Sequence, residues 1–109
     1  MGAIDLKFGA DSHDDMRQFP REPVAMQAML RGPRSLRFRI DVLDMSVSGF
    51  RATAAPNLEP GDTIWLQIPD MAGQEAQVVW RRHFCYGFVF RQPLYPAVLD
   101  RIKAMYPGT

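Results

Sequence analysis

The chain has 109 residues, 47% hydrophobic and 23% charged, with a formal net charge of +1. That length fits one domain able to fold without disulfides or metal, and the composition excludes fibrous, collagen-like and disordered classes. One cysteine, Cys85, excludes an internal disulfide and makes a reducing cytoplasm the expected compartment.

Residues 1–15 show no periodicity and carry Asp5, Asp11, Asp14 and Asp15 against Lys7. They read as a flexible acidic tail. The opening Met1-Gly-Ala-Ile-Asp-Leu-Lys lacks the basic-then-apolar order of a secretory signal. Residues 16–109 read as a single domain. Pro20 and Pro23 make the stretch around Arg21 an irregular lead-in. Strand alternation then begins. Val24, Met26, Ala28 and Leu30 define a first strand, and Arg31-Gly-Pro-Arg34 a turn. Leu36, Phe38, Ile40 and Val42 give the buried face of a second strand, with Arg37, Arg39 and Asp41 on its outer face. Gly49–Thr53 is a short third strand, followed by a loop whose Pro60-Gly61 marks a turn.

Ile64, Leu66 and Ile68 then alternate with Trp65 and Gln67, which points Trp65 outward. After a turn at 69–73, Ala76, Val78 and Trp80 share one face, and Gln77, Val79 and Arg81 the other. Phe84, Tyr86, Phe88 and Phe90 give the last strand an aromatic face. Short strands at this spacing, over residues 22–92, indicate a small antiparallel barrel or sandwich. A helix is expected over 95–106, with Val98, Leu99, Ile102, Met105 and Tyr106 on one face, Pro96 in its first turn and Pro107-Gly108 ending it. Being short, it should dock on the barrel or on a partner. No apolar run approaches the ~20 residues of a membrane helix, so no membrane insertion is expected.

Enzyme constellations are missing from this pattern. His13 lies in the tail and His83 at a turn, with no acid and nucleophile spaced to complete a triad. One cysteine and two separated histidines make no metal-ligand set. No Gly-rich phosphate loop is present. No catalytic residue and no metal is therefore assigned.

Two clusters remain. Seven arginines fall between residues 16 and 53, against Glu22, Asp41 and Asp44, which points to a small, local, anionic partner rather than a nucleic-acid polymer. Arg17-Gln-Phe-Pro-Arg21 offers two guanidinium forks on non-helical backbone. Asp44-Met-Ser46-Val-Ser-Gly49 offers a carboxylate, a hydroxyl and a glycine at a strand end. Guanidinium forks match phosphate oxygens and the O6/N7 edge of guanine, and a carboxylate accepts from guanine N–H donors. Each cluster has a plainer reading, as solvated arginines or a strand-end turn. Together they suit a ligand that is both phosphate and guanine.

In this order and on this strand pattern, the two clusters resemble the paired signature of the PilZ domain family, bacterial receptors for cyclic di-GMP. The signature is Arg-x-x-x-Arg before the first strand and Asp/Asn-x-Ser-x-x-Gly at the end of the second. The Pro60-Gly61-Asp62 loop end and the strands at Val78–Trp80 and Tyr86–Phe90 also resemble the family. The resemblance spans residues 16–106 and implies a six-stranded antiparallel β-barrel with a C-terminal α-helix. It implies Arg17 and Arg21 on phosphates and guanine edges, Asp44 on guanine donors, Ser46 on a base or phosphate, and Gly49 where the turn meets the ligand. Trp80 is either a base-stacking residue, as the resemblance implies, or core, as its parity with Ala76 and Val78 implies. Arg51 and Arg82 are candidate outer helpers.

The expectation is a stand-alone cyclic di-GMP receptor without cofactor. Ligand would order the Arg17–Arg21 segment and create a surface read by a protein effector, with Trp65 a candidate member. The alternatives are a PilZ-like adaptor that ignores the nucleotide, and a single-strand nucleic-acid binder using Arg37, Arg39 and the 84–90 aromatics. The second is disfavoured because those aromatics read as core.

Overall fold

A computed structural model describes residues 21–54 and 57–108. The acidic stretch 1–15 with His13, the lead-in through Pro20 with Arg17, and the loop position Pro56 lie outside the described residues. Six strands form: β1 (Glu22–Arg31), β2 (Arg37–Met45), β3 (Gly49–Thr53), β4 (Thr63–Gln67), β5 (Gln74–Arg82) and β6 (Cys85–Phe90). All pairings are antiparallel. They close in the order β1-β2-β3-β6-β5-β4, with β4 returning to β1. The closing seam pairs Met29–Arg31 of β1 with β4, while the start of β1 meets the C-terminal segment through Val24 and Pro107.

Alternation decides what faces inward. Val24, Met26, Ala28 and Leu30 of β1 are buried, as are Ile64, Leu66 and Ile68 at β4. Phe50 and Phe88 stack in the centre with ring centroids 4.4 Å apart, and Phe90 tilts against Phe50 at 5.3 Å. Tyr86 is fully buried, and its hydroxyl accepts a 3.2 Å hydrogen bond from the Leu58 amide. That bond ties the β3–β4 loop to the core and spares the phenol an unmet polar group.

Helix α1 (Pro96–Met105) starts with proline in its first turn and buries Leu99 and Ile102 in the barrel core. Val98 and Tyr106 pack at its margin. Met105, expected on the same face, is 42% exposed. The chain leaves helical geometry at Tyr106, whose carbonyl accepts from Ala25 N at 3.0 Å, and Gly108 N donates to Pro23 O at 3.3 Å. The buried stripe therefore ends at Ile102.

Two other expected core residues are at turns. Leu36 precedes β2 after the 3-10 turn Pro33–Ser35 and is 47% exposed. Phe84 occupies the two-residue β5–β6 hairpin beside His83 (φ 57) and is 64% exposed. Neither backbone position continues the pleat, so period-2 alternation does not reach them. Among the described residues no helix is long and apolar enough to cross a membrane, and no cluster of His, Cys, Asp and Glu could hold a metal.

Candidate functional site

Two bulges aim the site. In β2 an extra residue falls between Val42 and Asp44 relative to β3, so Leu43 and Asp44 both leave the core side. Strict alternation from buried Val42 would have turned Asp44 inward. In β5 the register shifts between Val78 and Trp80 relative to β6. Trp80 is thereby turned to the outer wall, while Arg81 takes the inward parity, with its guanidinium 5.6 Å from the Tyr86 ring. Re-aiming a side chain is what a bulge does to a strand. The parity shared by Ala76, Val78 and Trp80 in the sequence does not survive it.

The consequence is one row across four strands. Asp44 pairs with Arg51, Arg51 with Gly87, and Gly87 with Trp80. A Cβ at Gly87 would overlap the Trp80 indole, so the glycine is the space in which the ring lies. The ring points back along the row toward Arg51. Only glycine at 87 permits this close approach.

Asp44 is the electrostatic centre, with 9% of its surface exposed. Arg51 Nε donates to Asp44 Oδ2 at 3.0 Å, and Arg51 Nη2 lies 2.8 Å from the same oxygen. Asp44 Oδ1 is 3.7 Å from Arg21 Nη1, an ion-pair distance too long for a hydrogen bond. Oδ1 is buried without a hydrogen-bond partner. The cluster thus holds two guanidiniums and one carboxylate, of which one oxygen has no hydrogen-bond donor among the described residues.

The corner between β2 and β3 supports this row. Ser46 is fully buried; its amide donates to Gly49 O at 2.8 Å, and its Oγ accepts from Ser48 N at 3.2 Å and meets Ser48 Oγ at 3.0 Å. A Cβ at Gly49 would overlap the Phe88 carbonyl oxygen, so glycine is required for β3 to reach β6. Both residues therefore have a packing reason to be what they are.

Of the residues singled out in the sequence, the structure gathers Arg21, Asp44 and Trp80 along one wall, with Ser46 and Gly49 in the corner beneath. Arg17 lies outside the described residues. Arg82 is exposed at the end of β5. Arg51, an outer helper by sequence, is the closest partner of Asp44. Gly87 was missed, although a glycine inside an aromatic strand is a signal of close approach.

The described residues thus form a closed antiparallel barrel with a docked helix and a charged outer row. The chain belongs to the PilZ domain family, whose match covers residues 15–106. PilZ domains are non-catalytic modules, and the family is a class of cyclic di-GMP receptors. No match is found among curated proteins.

Proposed function

We propose that this PilZ domain is a receptor for cyclic di-GMP and that it signals to a protein effector by ordering its Arg17–Arg21 segment. The observation that carries the reading is the meeting of the two signature motifs: Arg21 Nη1 lies 3.7 Å from Asp44 Oδ1. The donor set suits the ligand. Arg21 and Arg51 supply forks for phosphate oxygens and guanine O6/N7. Asp44 Oδ1, without a hydrogen-bond partner, accepts from guanine N–H groups, while Arg51 holds Oδ2. Trp80 offers a ring face to a base, an arrangement worth about 1–3 kcal/mol per stacked base. Ser46 and Gly49 shape the corner on which Asp44 stands. Arg17 is the second fork of the lead-in, suited to a phosphate oxygen or a guanine edge.

Calorimetric titration of the full chain with cyclic di-GMP tests this, with cyclic di-AMP and GTP as controls. Cyclic di-GMP alone should give saturating heat. Arg17→Ala and Arg21→Ala should each weaken binding by about 1–3 kcal/mol, roughly ten- to a hundred-fold. Protease cleavage at residues 16–21 should slow when ligand is added. No heat with cyclic di-GMP would leave the adaptor reading in its place.

A further inference from the structure

A second outer wall lies on β4, β1 and β2. Its register makes two rows: Trp65–Arg31–Arg37 and Gln67–Met29–Arg39. The Arg31 guanidinium sits 6.0 Å from the Trp65 ring centroid, and Trp65 and Met29 are 41% and 40% exposed. A groove of about 320 Å³ runs between Trp65, Arg31 and Arg37, and one of about 450 Å³ beside Arg39. The two share Met29 and Gln67.

The charge on this wall is unbalanced. Among the described residues, Arg31, Arg37 and Arg39 form no ion pair, whereas Arg51, Arg81 and Arg91 each meet a carboxylate. Asp41 and Asp70 border the wall without pairing to these arginines. Arg31 and Arg37 face each other directly across β1 and β2, an arrangement that destabilises a sheet unless an anion comes between. At this wall β1 is paired to both β2 and β4 through Met29–Arg31, so a partner here is held by side chains rather than by an added strand.

We propose that this wall docks an acidic peptide segment of a protein partner. Its carboxylates meet Arg31, Arg37 and Arg39, and an apolar side chain lies against Trp65 and Met29. Trp65 is the one ring lining these two grooves, and the exposed Phe84 near Arg39 lies in a separate groove with Asp41; single-stranded nucleic acid calls for successive stacking rings along an unbroken basic track. Arg37 lies seven positions along β2 from Asp44, on the order of 20 Å at the rise of a strand. The surface is therefore separate from the nucleotide row. It rests on the proposed function only for the existence of a protein partner, and binding to it is read without nucleotide.

The probe is a fluorescein-labelled peptide alternating Glu and Asp with Leu and Phe, titrated with the full chain and followed by anisotropy. Binding should appear at low salt and weaken as salt is raised. Arg37→Gln/Arg39→Gln and, separately, Trp65→Ser should each lower affinity about ten-fold or more, with Arg101→Gln without effect. Urea midpoints verify that the variants fold, and their cyclic di-GMP titration should match wild type. Equal binding of the Gln/Asn version of the peptide, or undiminished binding by both wall variants, overturns the proposal. So does tighter binding of oligothymidylate or phosphatidylglycerol vesicles. A peptide of residues 1–15 that outcompetes the probe would make this chain's own acidic tail the occupant, and the partner reading would fall.

Discussion

Arg51→Ala should be more damaging than its half-exposed position implies, because it strands a buried carboxylate. Asp44 is 9% exposed and its Oδ1 has no hydrogen-bond partner. Its Oδ2 depends on Arg51, through contacts of 3.0 and 2.8 Å. After truncation only Arg21 remains, at 3.7 Å from the other oxygen. A hydrogen bond to a charged group contributes about 1.5–3 kcal/mol, and removing one partner of a fully buried pair costs about 3–5 kcal/mol. The Arg51 side chain is 41% exposed, so water replaces part of it and the lower range applies, about 1.5–3 kcal/mol. Asp44→Ala should cost less, about 0.5–1.5 kcal/mol, since the freed guanidinium reaches solvent. The double variant should be no less stable than Arg51→Ala alone, because the stranded charge is gone. Urea unfolding at constant m-value measures all three. The reasoning is refuted if Arg51→Ala lies within about 0.5 kcal/mol of wild type or if the two single costs simply add.

Two glycines give further tests. Gly49→Ala drives a Cβ into the Phe88 carbonyl, backbone against backbone, and should destabilise by about 2–3 kcal/mol. Gly61→Ala is its control, since that position has φ 98 but open space, and should cost only about 1 kcal/mol; equal midpoints would contradict the β3–β6 contact. Gly87→Ala meets only a movable side chain, the Trp80 indole. In a Trp65→Phe background it should red-shift the remaining tryptophan emission and weaken cyclic di-GMP binding, and an unchanged spectrum would show that the ring does not lie on Gly87.

The site was partly legible in the chain. Arg21, Asp44, Ser46 and Gly49 stand in a spacing that carries the family resemblance, and the family match over residues 15–106 agrees with it. What the spacing could not convey is the partner of Asp44. That Arg51 reaches it depends on which residues face each other across β2 and β3, a matter of register. The arginine wall on β4, β1 and β2 was hidden in part, because Trp65 is far in the chain from Arg31 and Arg37 and joins them only when β4 closes on β1.

Residue order alone determined the strands and the barrel's inner face, because a run such as Val24, Met26, Ala28 and Leu30 can bury its apolar side in one register only. It also determined the helix start at Pro96, where a fixed φ and a missing N–H suit a first turn. Tertiary structure alone decided which way Asp44 and Trp80 point. Each follows a bulge, and one inserted residue reverses every parity after it. Alternation is local, whereas a bulge is set by how neighbouring strands must match around a closed barrel, so the binding row exists only once the barrel has closed.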